Sequence, residues 1–180
     1  MKTRTIAVIA ALALIPGLVQ GPAAAEPAAD APEVLQAVMK LEGRWQADAE
    51  LVLGGERHRF IYTLDFSKTA SGSGLLLDEH AVVQGVGELK GTSVIGFDPY
   101  EGRLHWFSVD NFGTAHNHVG ELVGPGHVRL VHESRREGKP FREQIDLQWL
   151  AADRVEGRLV ATLAGDVVET LAGTFTRVGR

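Results

Sequence analysis

The sequence contains no cysteine. That absence removes disulfide staples, thiolate metal sites, cysteine nucleophiles and the lipidated N-terminal cysteine of bacterial lipoproteins. Basic residues are also in short supply. Once Lys2 and Arg4 of the N-terminal segment are set aside, 16 basic residues face 23 acidic ones, a formal charge of −7. A surface of that sign does not suit phosphate contacts, so no nucleic-acid partner is expected. The N-terminal apolar run, Ile6 to Leu14, is about nine residues, well short of the roughly 20 that cross a bilayer. No membrane span is expected. The chain also lacks a Gly-x-Ser-x-Gly elbow, a Walker loop, a dinucleotide fingerprint and a His-Glu-x-x-His pair.

The N-terminus has the tripartite build of a secretory signal. Lys2 and Arg4 precede the apolar run, Pro16 and Gly17 break it, and Ala23, Ala24 and Ala25 follow. Cleavage near Ala25 predicts a soluble, exported protein, periplasmic or secreted, of about 155 residues, which suits one domain. Residues 1–25 are thus a signal peptide, 26–32 an Ala/Pro linker, and 33–180 the folded domain.

From Glu33 to Leu41, Val34, Leu35, Val38, Met39 and Leu41 recur at helical spacing, with Pro32 suited to the first turn and Gly43 to the stop. After Gly43 the period becomes two. Trp45, Ala47, Ala49, Leu51 and Leu53 share one face of a strand, Gly54-Gly55 turns, and His58, Phe60, Tyr62, Leu64 and Phe66 alternate on the way back. Further strands are predicted over 75–86, 92–97, 104–110, 115–123, 127–132, 141–149, 155–163 and 167–177, with turn-forming residues between them. About ten strands with almost no helix between them predict an all-β, antiparallel up-and-down barrel whose closure removes aggregation-prone edges. A barrel of that strand number leaves room for a ligand.

The features Leu41-Glu42-Gly43-Arg44-Trp45, Gly96-Phe97-Asp98-Pro99-Tyr100, Asp110 and a last strand ending on Arg177 resemble the exported bacterial domain-of-unknown-function family numbered fifteen seventy-nine. That family is calycin-like, related to the lipocalin and nitrobindin barrels. The resemblance covers nearly all of the chain after the linker and implies a calycin-like barrel with a general capacity for ligands. It further implies barrel closure by Gly43, Trp45 and Arg177, with the Trp ring across the floor and the Arg over it. Nitrobindin-type heme barrels share the Gly-x-Trp entrance, yet no residue here takes the place of their proximal histidine.

His116 and His118 form the one local pattern with metal-ligand geometry, since residues two apart on a strand point the same way and reach one ion at about 2.0 to 2.1 Å. Spacing supplies no third ligand; His80, His105, His132 and Glu121 are the conceivable ones. A polar cavity wall or a solvent face is the plainer role for the pair. The run resembles the first cupin motif, but its Glu comes too late and no second motif follows. Within Asp78-Glu79-His80 the first and third residues share a face and Glu79 points the other way. A hydrated outer face suits the cluster, and any member turned inward needs a partner. Leu104, Trp106, Ser108 and Asp110 share a face, as do His105, Phe107 and Val109.

These patterns make the chain a binding protein for a small apolar or amphipathic molecule, with Tyr62, Trp106, His116, His118 and Trp149 as ligand-binding residues. No catalytic residue and no cofactor is assigned. The alternatives are a barrel-mouth enzyme such as an isomerase, cyclase or hydrolase, and a heme or divalent-metal barrel using His116 and His118.

Overall fold

The computed structural model describes residues 32–179. The expected signal segment, and the linker apart from Pro32, lie outside the described residues. Helix α1 spans Glu33–Met39 behind Pro32 and buries Leu35, Val38 and Met39. It is two residues shorter than the periodicity predicts because the Lys40 and Leu41 amides bond three residues back, to Ala37 and Val38, which tightens the last turn and ends the helix.

Ten strands follow: β1 Gly43–Leu53, β2 Glu56–Lys68, β3 Leu75–Val83, β4 Gly87–Asp98 and β5 Arg103–Asp110 in the first half. The second half comprises β6 Ala115–Gly124, β7 His127–Arg136, β8 Lys139–Ala151, β9 Arg154–Leu163 and β10 Asp166–Gly179. Each strand pairs antiparallel with its sequence neighbour, and β1 pairs with β10, so the sheet closes into a ten-stranded up-and-down barrel. Gly54 and Gly55 join β1 to β2 with φ of 59° and 90°, the two positive values of a type I′ hairpin. On β1, Trp45, Ala47, Ala49 and Leu51 are buried while Arg44, Gln46 and Asp48 are exposed, as the alternation predicts.

One end of the barrel is a packed floor. The Trp45 indole is buried, donates from Nε1 to the Leu41 carbonyl at 2.7 Å, and lies under the Arg177 guanidinium at 4.3 Å. Arg177 also donates to the carbonyls of Glu42 and of Lys40, the latter at 2.6 Å. The last strand thereby holds the chain that leaves α1, and α1 itself packs against β6 and β7. Leu75, Ile95, Leu104, Val128, Leu130 and Val155 fill this half of the interior.

The other half is less complete at one seam. The β6–β7 ladder runs only from Val119↔Val131 to Gly124↔His127. By contrast β6 stays paired with β5 out to Val109↔Ala115, and β7 with β8 out to Arg136↔Lys139. The two strands therefore part toward the end away from α1.

Candidate functional site

A cavity of about 440 Å³ opens at that end. Leu51, Phe60, Leu64, Leu77, Leu147 and Leu171 are among its apolar wall residues, and Leu53, Val86 and Phe112 stand near its rim. The inward parity of each strand is mostly aliphatic or aromatic, so the few polar side chains of that parity meet one another inside the barrel.

Two of these are His116 and His118 on β6, which face inward because they share parity with buried Gly120. Glu143 on β8 shares parity with Phe141, Ile145 and Leu147 and reaches them across the seam. One carboxylate oxygen, Oε1, contacts His118 Nε2 at 2.7 Å and His116 Nδ1 at 3.3 Å. Burial alone would raise this carboxyl, but the hydrogen bonds and charges of the two imidazoles outweigh it and hold Glu143 at about 2. His132 on β7 stacks on His116 with ring centres 4.3 Å apart and planes at 16°. Its Nδ1 lies 3.1 Å from the Asn117 carbonyl, so that nitrogen donates, and the bond replaces one the parted ladder does not make. Burial, and secondarily the neighbouring His116 and His118, lower the His132 pKa despite that bond.

A second polar group sits on the facing wall by strand order. Tyr62 on β2 donates its hydroxyl to Glu79 on β3. Glu79 can lie there because residue 91 is glycine: a Cβ on Gly91 would come within 2.1 Å of Glu79 Oε1. Burial raises the Glu79 carboxyl, against the pull of the Tyr62 hydrogen bond, and burial followed by the Glu79 charge pushes the Tyr62 phenol well above its ordinary value. Glu169 on β10 is also raised, first by burial and then by the Glu143 charge. Asp110, by contrast, is engaged locally. It accepts from the amides of Phe112 and Thr114 and from the Thr114 hydroxyl, and so shapes the β5–β6 turn at the cavity mouth.

Of the residues expected to bind ligand, Tyr62, Trp106, His116 and His118 line the cavity, and the two histidines meet each other there. Trp106 is set edge-on to Phe66 toward the floor. Trp149 does not line it. It has inward parity, but the β8–β9 register sets it opposite Val155, and its backbone amide bonds the Gly126 carbonyl at the floor end. Among the conceivable third ligands, His80 faces outward to Glu88, His105 faces outward to Glu101, and Glu121 is exposed.

Sequence reasoning missed Glu143 and Glu169, and considered Glu79 without a partner. A signal was present. Two of the three are acids interrupting an apolar parity, Leu77-x-Glu79-x-Ala81 and Phe141-x-Glu143-x-Ile145, and Glu169 shares parity with Leu171 just past a register shift beyond which Val167 is exposed. On a half-buried strand, such an interruption marks an acid forced inside.

Fold and site together define a calycin-like, all-β barrel with a polar-equipped cavity. Among solved structures the chain is similar to the S-type phycobiliprotein lyase CPES from Guillardia theta, with a TM-score of 0.54 and 10% identity, over 79% of this chain and 91% of that one. No protein-family model and no curated protein matches the chain. The likeness is one of fold.

Proposed function

We propose that this chain is an exported binding protein for a small apolar or amphipathic molecule held in the barrel cavity. The observation that carries this reading is the cavity itself. Its volume falls within the roughly 300–1,000 Å³ of small-molecule sites, and its apolar wall carries a few converging polar groups. An amphipathic molecule suits it best, with its apolar body against Leu64, Leu77 and Leu147 and its polar end toward the histidines. Export is supported by the signal-like N-terminus, and membership of the family numbered fifteen seventy-nine by the sequence features given for it. The likeness to the lyase contributes the fold and nothing about the ligand.

The test is titration of the purified protein with an environment-sensitive apolar dye and a panel of fatty acids. Saturable binding is expected, with about 2.7 kcal/mol of added stability at 100 times the dissociation constant. Leu64→Trp, which fills the lumen, is expected to weaken binding at least tenfold. Absence of saturable binding, or binding indifferent to Leu64→Trp, rejects the reading.

A second reading, a barrel-mouth enzyme of the isomerase, cyclase or hydrolase type, is favoured by one observation. Tyr62 and Glu79 form a buried proton-holding pair on the cavity wall. It requires a turnover that Glu79→Gln abolishes while dye binding persists.

A further inference from the structure

The His116, His118 and Glu143 cluster does more than supply polarity to a wall. Two strands that are not neighbours, β6 and β8, deliver three side chains of metal-ligating type whose donor atoms all lie within 4.8 Å of one another. None is at the surface: the side chains of His118, Glu143 and His116 are 2%, 11% and 14% exposed. We propose that these three residues form a binding site for one divalent transition-metal ion, with the remaining coordination positions directed into the cavity.

Two features of the geometry support an ion at this cluster. First, both imidazoles converge on the same oxygen, Glu143 Oε1. The three donor atoms are thereby gathered at one place, as the ligands of a single ion must be. Second, the spacing is close to that of a loaded site. Metal bonds of about 2.0 to 2.1 Å place tetrahedral ligand atoms roughly 3.3 Å apart. The His116 contact already has that value, and the His118 contact opens by about half an ångström.

The donor set defines the class of ion. Two imidazoles and one carboxylate, with no thiolate and no backbone carbonyl, suit zinc, iron(II), cobalt, nickel or manganese and not calcium or copper(I). Three protein ligands leave at least one position open, the arrangement of exchangeable metal sites and not of closed structural ones. His132 supports it from outside: stacked on His116 and bonded to the Asn117 carbonyl, it fixes the plane of the more exposed ligand. The open position faces the lumen, and here the inference rests on the cavity reading for its occupant: an amphipathic molecule whose polar end carries a carboxylate, phenolate or similar oxygen donor.

The test uses the tag-free protein, stripped with a chelator, and cobalt(II) and zinc(II) as probes. One equivalent of cobalt is expected to bind saturably, with visible ligand-field absorption of a nitrogen and oxygen site, and zinc is expected to displace it. Glu143→Gln keeps the volume and one acceptor, and His116→Phe keeps a ring between His132 and Phe141. Each is expected to lose at least tenfold in affinity while retaining the β-type circular dichroism spectrum. His80→Ala, which removes an exposed histidine paired with Glu88, is expected to change nothing. The inference is overturned if the wild type binds no equivalent of metal, if both cavity variants bind as the wild type does, or if His80→Ala is the change that removes binding. The dye titration is run on the chelator-stripped protein. Dye binding without metal binding then sinks the metal site alone, and metal binding without dye binding sinks the cavity reading alone.

Discussion

Glu79 shows what the barrel does to a single carboxyl. Burial raises its pKa above the ordinary carboxylate range, so the folded chain keeps this proton to a higher pH than the unfolded chain. In that window the folded state binds more protons, and stability falls as pH rises, from the ordinary range through the raised folded value, above which it levels off. Glu79→Gln removes the titration while leaving an acceptor for the Tyr62 hydroxyl. The stability of this variant relative to wild type is therefore expected to grow as pH rises above the ordinary carboxylate range, followed by denaturant melts at each pH. A difference that stays flat as pH rises places Glu79 in contact with water. Trp45 is the opposite case, an apolar group fully used by the floor. Trp45→Ala loses the burial, the Leu41 hydrogen bond and the Arg177 contact together, and is expected to cost about 3 to 5 kcal/mol. A loss under about 0.5 kcal/mol is the surface result and contradicts the floor packing.

At this scale the sequence was legible where one residue makes its own local argument. The turn at Asp98-Pro99-Tyr100 was readable, and Asp98 Oδ1 accepts there from the amides of Tyr100 and Glu101; Asp110, read only as a strand end, accepts from the Phe112 and Thr114 amides of the turn that follows. The meeting of His118 with Glu143, 25 positions apart, was not readable. It depends on the tilt of strands and on where the β6–β7 ladder stops, and neither leaves a mark in the spacing of residues.

Among the elements, the strands were legible in number and order, and the departures have specific causes. β4 begins at Gly87, five residues before the expected Thr92, because Gly87 and Gly91 read as breakers. Gly91 is instead a strand residue whose missing side chain accommodates Glu79. β7 continues to Arg136, past the expected His132, because the charged run Glu133 to Arg136 has no apolar alternation and yet pairs with β8 to the hairpin tip. That hairpin and the β9–β10 hairpin carry the two non-glycine residues of positive φ among the described residues, Glu137 at 53° and Ala164 at 54°. An alanine in the left-handed region costs about 1 to 2 kcal/mol, and asparagine tolerates it better. Ala164→Asn is accordingly expected to raise stability by about 0.5 to 1 kcal/mol, measured by denaturant midpoint at unchanged slope. An unchanged or lowered midpoint means that the β9–β10 turn is not strained at this residue.

For the whole molecule the decisive property is that closure is made by backbone and core, with the polar cluster as an addition. The barrel is joined strand to strand around its full circuit, and its floor is fastened by Trp45, Arg177 and α1 without any metal-ligating side chain. The His116, His118 and Glu143 cluster lies in the other half, beside the seam where β6 and β7 have already parted. Removing an ion from it takes away no ladder and exposes no part of the packed floor, so the metal-free chain is expected to fold. Dialysis against a strong chelator should leave the β-type circular dichroism and a single cooperative melt in place. Zinc added back should raise the melting temperature, with stability growing as the logarithm of free metal above its dissociation constant, because only the folded state holds the three ligands together. In Glu143→Gln that metal-dependent rise should be lost while the metal-free melt remains cooperative. A chelated wild-type chain that loses its β spectrum and regains it with zinc contradicts this division of labour and makes the cluster a structural staple.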